Sequence, residues 1–94
     1  MALNLSVAQP SGITVSYWKV TKLHIDIINS NINVEIAGYL DYSTYLSGGQ
    51  NVTVMVESIG PDQYSSILSS SNLMNELYTV LSTMPDFTGS TIVA

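Results

Sequence analysis

Polar and apolar residues alternate through most of the first sixty positions, then change to a helical spacing. The clearest alternating run covers 13–28. Ile13, Val15, Tyr17, Leu23, Ile25 and Ile27 share one parity and hence one face of a strand. Thr14, Ser16, Trp18, Val20, Lys22, His24 and Asp26 take the other face. The alternation weakens at 19–21, where a bend or bulge fits. Trp18 falls on the mostly polar face. It is either covered there by a C-terminal helix, the commoner role for tryptophan, or it is an interface anchor.

Asn29-Ser30-Asn31 reads as a tight turn, because asparagine tolerates positive φ and serine caps backbone groups. A second strand follows over 32–40, with Ile32, Val34, Ile36 and Leu40 on one face. Gly38 interrupts that face and leaves a gap for a bulky partner such as Trp18 or Tyr17. A third strand covers 51–58, with Val52, Val54 and Val56 set against Thr53, Met55 and Glu57.

The connection 41–50, DYSTYLSGGQ, carries Tyr42, Tyr45 and Leu46, which are large for a loop. A one-turn helix ending at Gly48-Gly49 explains the spacing. Such residues either cap the core or mark an interface.

Pro61 is placed as a first-turn proline. A short helix over 62–68 and a second one capped by Ser71 or Asn72 follow. Leu73, Leu77, Val80, Leu81 and Met84 form the apolar stripe of that second helix, and Pro85 stops it. The tail ends in Ile92-Val93, an apolar pair that needs cover here or on a neighbouring subunit. Residues 1–12 read as an N-terminal arm. Leu3, Leu5 and Val7 suit a short strand that adds to this sheet or a neighbour's, or else the arm is a partly ordered terminus. The expectation is one α+β domain over 13–94, a three- to four-stranded antiparallel meander with C-terminal helix packing.

Charge narrows the functions open to this fold. Of the 94 residues only 10% are charged, and Lys19 and Lys22 are the only Lys/Arg in a chain of net charge −5. Nucleic-acid binding draws on several cations on one face, so no nucleic acid is expected as partner. A surface of hydroxyls and amides carries little charge to desolvate and suits protein–protein contacts. No apolar run approaches a membrane span, and the N-terminus lacks the pattern of a signal peptide, so neither membrane nor general export is expected. The sequons at Asn4 and Asn51 are read as chance triplets.

Catalytic patterns are missing from the sequence. His24 and Asp26 lie on one strand face about 7 Å apart, which is a surface pair and not a metal site or triad. The seven acidic residues have no metal-loop spacing. There is no phosphate loop, nucleophile elbow or HExxH. No enzyme activity, cofactor or metal is expected.

Three segments carry a resemblance. Ser16-Tyr17-Trp18-Lys19-Val20 resembles an "xYWRI" strand opening, and Ile36-Ala37-Gly38-Tyr39-Leu40-Asp41 resembles an "xAGYxD" strand end. Leu77-Tyr78-Thr79-Val80-Leu81 through Met84-Pro85-Asp86-Phe87-Thr88-Gly89-Ser90 resembles a closing "YxxLKTLPEFxGAxxV". In this order they resemble a group of short proteins encoded among the structural genes of tailed bacteriophages. Lys19 stands where arginine is usual, the 41–50 loop lacks the group's "EAARxAG" pattern, and Ser82-Thr83 replaces a more charged helix end.

The resemblance implies a non-enzymatic virion protein, either tail-, baseplate- or fibre-associated or a capsid-decorating cement subunit. Its partners would be other virion proteins and copies of itself, and its location the virion, assembled in the host cytoplasm. The interface candidates are Tyr17, Trp18, Tyr42, Tyr45, Leu46, Ile92 and Val93. The competing expectation is a small acidic binding module or host-directed inhibitor.

Overall fold

The long strand expected at the centre of the chain is β2, Thr14–Asp26, in a computed structural model that describes residues 1–93. It lies at the middle of a five-stranded antiparallel sheet of order β4-β3-β2-β1-β5. The other strands are β1 (Ala2–Ala8), β3 (Asn31–Tyr39), β4 (Thr53–Ile59) and β5 (Thr91–Val93). The fold is α+β. The sheet exceeds the expected three or four strands because both ends of the chain join it. Residues 2–8 pair with β2, and the tail pairs with them through Ala2↔Val93, Leu3↔Ile92 and Asn4↔Thr91.

Helices α2 (Pro61–Leu68) and α3 (Leu73–Thr83) follow β4. Pro61 opens α2 at a position where a missing N–H costs nothing. Asn72 caps α3 by accepting the Asn75 N–H at 3.1 Å. The turn Pro85–Phe87 ends it. Leu77, Val80 and Leu81 of α3 and Ile67 of α2 pack with Ile32, Val34, Ile36 and Ile59 of the sheet.

Two irregularities in β2 rearrange the faces read from parity. The β2–β3 register shifts between Val20 and Lys22, which makes Thr21 an extra residue. The β1–β2 register shifts between Asn4 and Val7, opposite Ser16. Ser16 N–H, like its hydroxyl, donates to Leu40 O. Val15, Trp18, Val20 and Leu23 therefore all join the core side. Tyr17, expected on the face of Val15 and Leu23, lies on the opposite face beside Tyr39. A strict count of two cannot cross two bulges.

Trp18 is fully buried and stands opposite Gly38. A Cβ on Gly38 would lie 2.7 Å from Val15 Cγ1 and 2.8 Å from Trp18 Cζ3. The expected gap is real, and the indole fills it. Phe87 meets the indole edge-on with ring centroids 5.5 Å apart. The indole N–H donates to Leu5 O at 2.9 Å, so burial leaves no polar group unpaired. Beyond the last β1–β2 pair, Val20 N–H donates to the Tyr78 hydroxyl at 2.9 Å. A helix side chain thus completes the backbone of the central strand.

Candidate interaction surface

The outer face of the sheet carries a cluster of four tyrosines. Tyr17 and Tyr39 are opposite one another across β2 and β3. Tyr42 and Tyr45 come from a single-turn helix α1, Tyr42–Leu46, set over them. Tyr17 lies 5.4 Å from Tyr42 and 5.2 Å from Tyr45, centroid to centroid. Tyr45 meets Tyr39 edge-on at 5.1 Å, and the Lys19 ammonium lies 5.3 Å from the Tyr45 centroid.

Local sequence fixes this small helix. The Asp41 carboxylate accepts the Thr44 N–H and the Thr44 hydroxyl, each at 2.8 Å. Those bonds hold its carboxyl below the usual carboxylate range, the backbone bond first. At the other end Gly49 passes against Thr44. A Cβ there would lie 2.6 Å from Thr44 Cγ2 and 2.9 Å from its carbonyl oxygen. The one-turn helix expected from DYSTYLSGG is present, and it delivers two rings onto the sheet.

Tyr17 is buried beneath these rings although it lies outside the main core. Burial raises its phenol pKa first, and the neighbouring phenols Tyr45, Tyr42, Tyr78 and Tyr39 raise it further. Tyr42 remains 49% exposed and Leu46 63% exposed, so the top of the cluster faces solvent. Beside it a hollow of about 450 Å³ is lined by Asn4, Ser16, Tyr17, Asp41, Tyr42 and Val93. Tyr17, Tyr42 and Val93 supply apolar surface. Asn4, Ser16 and Asp41 supply short hydrogen-bonding groups.

Of the sequence candidates, Tyr17, Tyr42, Tyr45, Leu46 and Val93 belong to this face or its rim. Ile92 lies next to Val93 in β5, opposite Leu3, and is 36% exposed. Trp18 takes the core role of the two open to it and presents no surface to a partner. Tyr39 and Lys19 were missed. A signal for both existed, since a strand paired through Tyr17↔Tyr39 and Lys19↔Ala37 puts them on the face of Tyr17. For Lys19 the count of two from Tyr17 suffices, while Tyr39 needs the register between β2 and β3.

Other titratable groups lie away from the tyrosine cluster. Asp26 accepts from the Asn29 side chain at 2.8 Å and from its N–H at 3.2 Å, which lowers its pKa, side chain first. It thereby closes the hairpin turn. Lys22 and Glu35 approach only to 4.0 Å, and the lysine side chain is largely solvated, so the pair is worth little. Among the described residues, Glu57 is the one buried acid. Burial, then the neighbouring Asp86 carboxyl, pushes its pKa up to about 7. Among the described residues, no three His, Cys, Asp or Glu side chains gather as a metal cage would require. No described helix is long and apolar enough to cross a membrane.

No family model matches this chain, and no curated protein or solved structure matches it significantly.

Proposed function

We propose that this protein is a non-enzymatic structural subunit of a bacteriophage virion, tail-, baseplate- or fibre-associated or capsid-decorating, and acts through protein–protein contacts. One observation carries the reading. The three segments that resemble phage structural proteins lie far apart in sequence and meet at one place in the fold. Trp18 of the first packs against Gly38 of the second and Phe87 of the third. Tyr78 of the third segment holds Val20 of the first. On the opposite face, Tyr17, Tyr39 and Asp41 of the first two segments form the base of the tyrosine surface. Segments that make a single unit are what a shared ancestry of fold and surface would keep together.

The surface itself suits contact with protein. Tyrosine offers a large, stiff apolar face and a hydroxyl at low entropic cost. Lys19 and Asp41 add one charge of each sign at its margin, so partner binding need not desolvate a dense charge patch. The test is mass spectrometry of particles purified from the phage that encodes the chain. The protein is expected as a stoichiometric component that survives high-salt washing. Its absence from intact particles would rule the reading out.

A further inference from the structure

The two edges of the sheet are built differently. β5 exposes only three residues on one side. β4 exposes seven on the other and pairs with β3 without a register shift. Open edges are usually guarded by brevity, a bulge, a proline or an outward charge. β4, TVMVESI, has none of these. Its single charge, Glu57, is buried, while Val54 and Val56 on the outer face are 46% and 69% exposed.

Hydrogen bonds fix which backbone groups face that open edge. Val20 N–H donates to Tyr78, away from β3, and the Thr21 hydroxyl donates to Glu35 O. Odd-numbered residues of β3 therefore turn their N–H and C=O toward β2, and even-numbered ones toward β4. Gly38 O also accepts from Val52 N–H, just ahead of β4, at 2.7 Å, which places that carbonyl on the β4 side. In the unshifted register Thr53, Met55 and Glu57 then bond to β3. Val54, Val56 and Ser58 hold their N–H and C=O out toward solvent.

We propose that β4 pairs antiparallel with β4 of a second copy of this chain, about a two-fold axis at Met55, joining two five-stranded sheets into one. Val54 of each copy then exchanges backbone hydrogen bonds with Val56 of the other, and the four valines form one apolar patch on the outer face. On the inner face Thr53 opposes Glu57 of the second copy, and Met55 opposes itself. Registers displaced toward the C-terminal end of β4 are poorer. An axis at Glu57 sets two carboxyl groups against each other, and an axis at Val56 sets Met55 against Glu57 and Val54 against Ser58. The interface is isologous, as a closed dimer requires. It takes the assembly reading one step further, to a named partner, and its geometry does not depend on the virion.

The chain has no cysteine, so a single introduced thiol reports the contact. Facing residues at a non-hydrogen-bonded antiparallel pair lie about 4.5 Å apart at Cα, within disulfide reach. Under oxidised glutathione, Met55→Cys is expected to give a covalent dimer and Ser66→Cys on α2 is not. Light scattering of the unmodified protein is expected to give the mass of two chains. Val56→Lys is expected to return it to one, with the circular dichroism unchanged.

A one-chain mass throughout a concentration series with no Met55→Cys dimer overturns the proposal. So does a dimer that survives Val56→Lys. Cross-linking through Val56→Cys in place of Met55→Cys overturns the axis. Particles that contain the chain with Met55→Cys uncross-linked overturn this inference and leave the virion reading standing. Covalent dimers of a chain absent from particles do the reverse.

Discussion

Tyr17 and Trp18 are consecutive in the chain, both are almost fully buried, and they lie on opposite faces of one strand. Trp18 is sealed by Val15, Gly38 and Phe87 beneath two helices, and its one polar group is bonded to Leu5 O. Tyr17 is covered by one turn of helix and by rings whose own outer sides meet solvent. The same burial is reached with different materials. On the inner face each neighbour is apolar, and removing one leaves a cavity. On the outer face each neighbour carries a hydroxyl, and the cover is thin enough for a partner to read. The sealed packing lies on one side of the sheet and the thinly covered aromatic surface on the other.

The largest effect that would break this contrast lies at Trp18. Trp18→Ala removes the central side chain of the core and leaves Leu5 O without its donor. A loss of about 3–5 kcal/mol is expected, measured by chemical denaturation. Gly38→Ala attacks the same contact from the other strand. Its Cβ would press on Val15 and the indole at 2.7 and 2.8 Å, and about 1–3 kcal/mol is expected to be lost through overpacking. If either variant were as stable as the parent protein, the inner face would not be where the fold is held.

Glu57 sharpens the contrast, because it is an acid placed on the apolar side. Its folded pKa is raised from 4.5 to about 7 by burial and then by Asp86. Between those values the folded protein keeps a proton that the unfolded chain has released. The Glu57 contribution to stability is therefore fullest below pH 4.5. It declines as pH rises toward 7 and is lost above that. Glu57→Gln keeps the shape and removes the charge. It is expected to flatten this slope and to stabilise the protein at pH 8 by roughly 1–2 kcal/mol, a figure discounted for partial contact with water. Denaturation midpoints at pH 5 and pH 8 check it. An unchanged slope in the variant would mean that another group titrates there.

These faces were legible in the sequence only in part. The strands, the hairpin between the two longest of them, the proline-led helix and the capped second helix come from local patterns that act over a few residues, although the turn spans 27–30 and not the expected 29–31, with Asn31 already paired in β3. The gap at Gly38 could be read for the same reason. The faces of Tyr17, Trp18 and Val20 could not, because each irregularity inverts the parity of the residues after it, and its position is set by neighbouring strands; the second inversion returns Leu23 to the expected face of Val15. β5 was missed because Thr91–Val93 is too short to carry a period, and only pairing with β1 makes it a strand. Tyr42 and Tyr45 were visible as large residues in a loop. Their meeting with Tyr39 depends on the register between β2 and β3, which is a long-range property.

The smallest expected effect is the one that separates display from support. Tyr42 is half exposed and touches Tyr17 with one side of its ring. Tyr42→Ser removes that contact without opening a sealed cavity, since water can occupy the vacated space beside Asn4 and Ser16. A loss of about 0.5–1 kcal/mol is expected, the worth of one aromatic pair at a surface. Because a partner would bury what solvent now wets, the same change is expected to lower incorporation of the protein into particles far more than it lowers the denaturation midpoint. The check is to compare the two losses for one variant, with Trp18→Ala as the reference for pure destabilisation. A fall in stability as large as that of Trp18→Ala would make the outer face a second core. A fall in neither quantity would leave the tyrosines as cover for Tyr17 alone and place the partner contact elsewhere on the sheet.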